Sequence, residues 1–331
     1  MKKALSLVLT VLLLCATFLG CQSQEESLRQ VELNEVTRSV FYAPQYVAVT
    51  LGFFEEEGLE VSITNGGGSD KTMTALLSGE ADIGLMGPET GVYVVNEGKE
   101  DHPVVIGQLT KRDGSFLISR MEEPDFQWES LKGKTIIGGR KGGMPFMTLL
   151  YVLQKHGLTP GVDVEVLDGV QFNLIGGAFE GGMGDYVSLF EPTASMYELE
   201  GKGYIVANVG EASGEIPYTT YMVSQNTLKN DPEFVEHFLR AIYKAQQWIQ
   251  TASDEEVADA MLPFFPDTDV SLLATVVYNY RTTDSWTKMP IMEEEAYQRL
   301  LDVMENAGEL TARPEFSDLI DNTIAQKVVG Q

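Results

Sequence analysis

Two segments of this chain, 32–92 and 134–195, pass through the same signals in the same order. Each opens on a short apolar-rich run, Leu33 to Val36 and Thr135 to Gly138. Each then turns into a proline, Pro44 or Pro145, placed where the first residue of a helix has no use for its N–H. An apolar helix follows and is expected to stop at Gly58-Leu59 or Gly157-Leu158, glycine being the usual helix terminator. Second strands are expected over Leu59–Ile63 and Val162–Leu167. A loop and a short helix closed by Gly79 or by Gly181-Gly182 lead to Asp82 or Asp185, each opening a third strand that runs on to a proline, Pro88 or Pro192. Two copies of β-α-β-α-β in one chain predict two similar α/β lobes. Lobes joined by crossing strands leave a cleft, which is where small molecules are held.

The N-terminus predicts export. Lys2 and Lys3 precede an apolar run from Ala4 to Leu19 that ends in Gly20-Cys21, the pattern of a secretory signal over 1–20. Phe18-Leu19-Gly20-Cys21 resembles the bacterial lipoprotein box, which implies cleavage before Cys21 and a diacylglycerol on its thiol. Gln22–Gln30 is polar and reads as a tether to a first lobe beginning at Val31. Cys15 lies in the signal, so the mature chain would hold one cysteine and no internal disulfide. No later stretch reaches the ~20 apolar residues of a membrane span. The expected location is the extracytoplasmic face of the cell membrane, on a lipid anchor.

The formal net charge of −26 argues against nucleic acid and against direct adhesion to anionic lipid. It does not exclude an anionic ligand, because exposed charge is screened over ~8 Å at physiological salt. The chemistry of catalysis is missing. His102, His156 and His237 are scattered without metal-ligand spacing, and no Gly-x-Ser-x-Gly elbow occurs. Gly133-Lys134-Thr135 lacks the upstream glycine of a phosphate loop, where Trp128 stands instead. No enzyme, cofactor or metal is therefore expected.

The first lobe is expected over 31–118 and 219–331 and the second over 119–218, with crossings near 112–120 and 215–224. Two crossings permit hinge closure. The C-terminus reads as helical and as packed on the first lobe. Asn230-Asp231-Pro232 opens a helix with the stripe Phe234, Val235, Phe238, Leu239, Ile242, Ala245, Trp248 and Ile249, which is core spacing. Ser253 and Glu256 form a capping box, and Met292 to Asn306 is a further helix.

In α/β lobes a ligand sits beyond the C-terminal ends of the strands. The first lobe offers Ser39, Phe41, Tyr42 and Tyr46, then Gly67, Gly68 and Ser69, whose glycines admit close backbone approach, then Gly87, Glu89 and Thr90. The second offers Gly142, Gly143 and Met144, then Phe172 and Asn173, then Glu191, and the second crossing adds Tyr218. Each loop alone is an ordinary turn; their convergence on one cleft makes them candidates.

Phe41-Tyr-Ala-Pro-Gln-Tyr-Val-Ala, followed by Leu51-Gly-Phe-Phe-Glu-Glu-Glu-Gly-Leu-Glu-Val and by Ala75-Leu-Leu-Ser-Gly-Glu-Ala-Asp-Ile-Gly, resembles the SsuA/THI5-like (NMT1-like) solute-binding proteins. The resemblance covers roughly residues 31–250. It implies a two-lobed periplasmic-binding-protein fold of type II, a small-molecule ligand and an ABC permease as partner. Sulfonate, taurine, nitrate and thiamine-pyrimidine branches share these motifs, and a sensory lipoprotein could use the same cleft. A THI5-like enzyme is disfavoured by the signal peptide and the scarcity of histidine. The aromatic residues, with Glu89 and Glu191 as acceptors, lean toward a planar aminated heterocycle such as an aminopyrimidine. Arg38, Arg112 and Arg140 keep an anionic ligand open.

Overall fold

The computed structural model describes residues 27–99 and 102–330. The signal segment, Cys21 and most of the tether lie outside the described residues. Ten strands are β1 (Arg29–Glu35), β2 (Leu59–Asn65), β3 (Ile83–Met86), β4 (Pro103–Thr110), β5 (Ser115–Ser119), β6 (Thr135–Ile137), β7 (Glu165–Leu167), β8 (Tyr186–Phe190), β9 (Tyr204–Asn208) and β10 (Thr219–Ser224). They form two sheets of five, ordered β2-β1-β3-β10-β4 and β7-β6-β8-β5-β9. Each half of the echo builds three parallel strands in the same order, the first strand in the middle.

The repeat persists to the atom. Asp82 Oδ2 accepts from the Glu32 amide at 2.9 Å, and the Asp82 amide donates to the Glu32 carbonyl at 2.9 Å. Asp185 treats Thr135 in the same way, at 2.9 and 2.8 Å. This side chain satisfies a strand amide where the ladder begins, which is why an Asp opens both third strands.

The fourth strand of each sheet is antiparallel and arrives by a crossing. β5 pairs with β8 and β9, and β10 pairs with β3 and β4. Ser115–Ser119 therefore belongs to the second sheet, and the limit of the first lobe moves from 118 to before Ser115. Alternation within an apolar run says that a strand exists but not which sheet it joins. The first crossing is 111–114 and the second lies just before β10.

Three local expectations are corrected. The first lobe begins at Arg29 rather than Val31, because Arg29 opens β1 and pairs in register with Leu59 while its guanidinium covers Phe234 and meets Asp231 at 2.5 Å. The first apolar helix is two, Ala43–Thr50 and Phe53–Glu56, broken at Gly52, whose φ of 73° suits glycine. The strand expected from Val162 starts at Glu165, since Gly161 turns the chain back to donate to the Val164 carbonyl at 2.8 Å.

The helix Pro232–Ile249 is capped by Asp231 and lays its apolar stripe on Ala43–Thr50 and Phe53–Glu56. Phe238 stacks on Phe54 at 5.2 Å and meets Tyr221 of β10 edge-on at 5.0 Å. Burying each such ring contributes about 2 kcal/mol. The Ser253–Glu256 capping box forms. Two C-terminal helices do more than cover the first lobe. Glu294–Asn306 packs on Met144–Lys155 of the second lobe, and Val270–Thr282 sends Asn279 and Tyr280 to Glu191.

Candidate functional site

The strand ends of the two sheets face each other across the crossings. From the first lobe, Ser39 caps a short turn by accepting from the Phe41 amide at 3.2 Å, and Phe41 follows as a buried ring. Phe41 lies 6.1 Å from Phe190 of the second lobe, 5.7 Å from Tyr218 and 5.0 Å from Tyr280. Its carbonyl accepts from Trp286 Nε1 at 2.9 Å. A Cβ on Gly114 would stand 2.8 Å from the Phe41 ring, so the first crossing needs glycine there.

Tyr42 and Tyr218 are buried beside Glu89, whose charge bears on both hydroxyls. Glu89 opens the helix Glu89–Asn96 and is 3% exposed. Its carboxyl folds back over Gly87, where a Cβ would be 2.0 Å from Oε2. Burial pushes the Glu89 acid up to about 8, against a small opposing hydrogen bond from its own amide. Oε2 has no hydrogen-bond partner among the described residues.

A second carboxylate, absent from the sequence expectations, lies on the first crossing. Asp113 is 1% exposed, and its Oδ1 accepts from the Ser115 amide at 2.7 Å and the Ser115 hydroxyl at 2.5 Å. Oδ2 faces the Tyr218 hydroxyl in a contact too loose for good hydrogen-bond geometry, though close enough to lower Asp113 and raise Tyr218, and neither atom has a better partner among the described residues. Burial raises Asp113 to about 6, opposed by the Ser115 bonds and by the Tyr218 hydroxyl. Tyr218 itself is held far above the usual phenol range, by burial first and then by Asp113 and Glu89. Nothing in the local pattern Lys111-Arg-Asp-Gly marks Asp113, because its role depends on which sheet β5 joins.

Several expected contacts have other duties. Tyr46 is core: it packs on Phe264 at 4.6 Å and Phe265 at 5.5 Å, and its hydroxyl donates to Glu35 Oε2 at 2.7 Å. The amides of Gly67 and Gly68 are already bonded, to Asn65 Oδ1 at 2.8 Å and the Val36 carbonyl at 2.9 Å, which leaves Ser69 to start its helix. Glu191 is not a free acceptor. Oε2 takes the Ser195 amide at 2.9 Å, while Oε1 takes the Ser195 hydroxyl and Asn279 Nδ2, both at 2.7 Å. It caps the helix Thr193–Leu199 and ties it to Val270–Thr282. Thr90 donates to the Gly87 carbonyl at 2.6 Å. Asn173 is exposed, and Phe172 starts the short turn Phe172–Leu174.

The lobes meet at the mouth. Tyr93 donates to the Gly142 carbonyl at 3.0 Å, the Gly143 amide turns inward to the Arg140 carbonyl at 3.3 Å, and Met144 is buried behind them. Arg140 reaches Asp70 at 3.5 Å. Arg38 is bound to Glu35 at 2.9 Å, and Arg112 lies 3.7 Å from Asp284. All three arginines that could have met an anion thus face carboxylates. The two surface cavities described lie elsewhere, on the outside of the first lobe around Gln225–Lys229 and Pro232–Arg240.

Two α/β lobes joined at two crossings, with C-terminal helices folded back on them, define a periplasmic-binding-protein-like fold with a cleft between the lobes. The chain belongs to the NMT1/THI5-like family, whose model matches residues 40–256. It is 44% identical over 313 residues to a Bacillus subtilis (strain 168) protein described as "Putative binding protein YtlA", covering 95% of this chain and 94% of that one. In fold it is similar to the periplasmic aliphatic sulphonate-binding protein SsuA of Escherichia coli, with a TM-score of 0.71 and 16% identity, over 92% of this chain and 100% of the other. It is likewise similar to the periplasmic nitrate-binding protein NrtA of Synechocystis PCC 6803, with a TM-score of 0.68 and 14% identity, over 92% and 89% of the two chains.

Proposed function

We propose that this protein is the extracytoplasmic substrate-binding component of an ABC importer, and that its solute is a small aminated heterocycle of the aminopyrimidine type. The observation that carries the ligand class is Oε2 of Glu89, buried beside Tyr42 and Tyr218 and without a hydrogen-bond partner among the described residues. A ring amine would give that oxygen a charge-assisted hydrogen bond. At neutral pH burial keeps the Glu89 acid largely protonated; a ring amine favours its ionised form, whereas a sulfonate or nitrate is tolerated only while the proton stays and is repelled by the carboxylate. Engagement of Arg38, Arg112 and Arg140 with carboxylates supports the same reading. Calorimetry at neutral pH tests it. 4-Amino-5-hydroxymethyl-2-methylpyrimidine is expected to bind at micromolar Kd or tighter, which takes about 8 kcal/mol. Glu89→Gln should weaken it roughly tenfold or more. Tight binding of ethanesulfonate, taurine or nitrate, with no heat from the pyrimidine, would overturn the ligand class.

The same proposal puts the protein on the membrane through Cys21. Among the described residues no helix is long and apolar enough to cross a membrane. Cys21→Ser should move the protein from the detergent phase to the aqueous phase on detergent partition. Retention of the mutant with the membrane would reject acylation at this thiol as the anchor.

A further inference from the structure

Glu89 accounts for one donor on a ligand, and the site holds a second acceptor on a different element. Asp113 lies on the first crossing and Tyr218 precedes β10 on the second, so both belong to the hinge rather than to either lobe's loops. Asp113 is 1% and Tyr218 5% exposed. Asp113 Oδ2 and the Tyr218 hydroxyl face each other loosely, and neither has a well-formed hydrogen bond among the described residues. A buried polar atom left so pays its desolvation without return, and the cost is removed when a ligand pairs with it. Among the described residues no lysine or arginine is paired with Asp113. Lys111 and Arg112, its neighbours, turn to Asp284 at 2.7 and 3.7 Å. The groups that face Asp113 are Ser115 on Oδ1 and the tyrosines 218 and 280. Tyr218 feels both Asp113 and Glu89, so its hydroxyl lies near both carboxyls.

We infer that Asp113 and Tyr218 form a second, hinge-borne subsite that takes a protonated amino group, so that the protein selects a heterocycle with an exocyclic alkylamine over its hydroxyl counterpart. This rests on the aminated-heterocycle reading above and narrows it. Two acceptors near Tyr218, carried by different elements, suit a ligand with two donor groups, one an aromatic amine for Glu89 and one an ammonium for Asp113. A hydroxymethyl group carries no charge to set against a buried carboxylate. Because the subsite spans both crossings, an ammonium there also joins the two segments that connect the lobes.

The test compares 4-amino-5-aminomethyl-2-methylpyrimidine with its 5-hydroxymethyl analogue on the mature chain. The wild type should bind the aminomethyl probe at least tenfold more tightly. Asp113→Asn keeps the oxygen that accepts from Ser115, and it should erase that preference while changing the hydroxymethyl affinity less than threefold. Tyr218→Phe should reduce the preference in the same direction with its own circular dichroism and melting curve intact. Equal affinity of the wild type for the two probes, or a preference that survives Asp113→Asn, would overturn the subsite and leave the heterocycle reading standing. Binding of neither probe would bring down both.

Discussion

Glu89→Gln is expected to raise the melting temperature of the unliganded protein at pH 8 by about 4 °C or more, and to leave it nearly unchanged at pH 4.5. The acid is raised from an ordinary 4.5 to about 8, chiefly because burial disfavours the ion. Tyr42, Tyr93 and Tyr218 face it, and none supplies a positive charge. A carboxyl with a raised value stabilises the fold fully below the unfolded pKa, where both states hold the proton. That stability is lost as pH rises from 4.5 toward 8, because the unfolded chain ionises and the folded one resists. A tenfold difference in proton affinity between the two states is worth about 1.4 kcal/mol, so a loss of at least ~2 kcal/mol at pH 8 is expected. For chains of this size that is roughly 2–4 °C per kcal/mol. Glutamine is neutral at every pH and removes the loss. Scanning calorimetry at the two pH values decides it: an equal change at both would show that the side chain's shape, and not its ionisation, sets the effect. A ring amine bound to Glu89 supplies the missing hydrogen-bond donor, so the group that strains the empty protein is the one a ligand relieves.

Gly210→Ala should cost about 3 kcal/mol and lower the melting temperature by roughly 6 °C. Gly210 lies in the short helix Val209–Ser213, pressed against the first crossing. A Cβ there would stand 2.0 Å from the Asp113 carbonyl oxygen and 3.0 Å from its carbonyl carbon. Both are backbone atoms, which cannot swing aside as a long side chain can, so the crossing itself must move. Gly177→Ala is the matched control: it is also helical, and its Cβ would meet nothing within 4 Å. That change should stabilise by about 0.4–1 kcal/mol through the unfolded chain. A Gly210→Ala protein that melts with the wild type would refute tight packing of helix on crossing. If it melts lower, weaker ligand binding should accompany the loss, because Asp113 is displaced with its carbonyl.

The two-lobed plan was legible because it is written twice. Pro44 and Pro145, Gly79 and Gly181, and Asp82 and Asp185 recur at matching places, and each acts through local backbone chemistry that a neighbouring residue or strand completes. The break at Gly52 was hidden, since glycine inside an apolar helix pattern reads equally well as tolerated. At the site, the Gly87-Pro88-Glu89 loop could be picked out as a strand end, but the fold-back of the carboxyl over Gly87 could not. Glu191 looked equivalent to Glu89 because both adjoin a proline after a third strand. What separates them is Asn279, 88 residues further along the chain, which with Ser195 consumes the Glu191 oxygens.

The sequence by itself determined the elements, their repetition and the family, because helix stops, strand starts and periodicity act over a few residues. Which sheet β5 and β10 join was decided by tertiary pairing, and that choice carries Asp113 and Tyr218 to the hinge. Whether an acid is an acceptor for a ligand or a cap for a helix depends on donors that arrive from distant segments. A buried carboxylate's ionisation depends on what surrounds it in space, and neither its residue type nor its neighbours in the chain specify that.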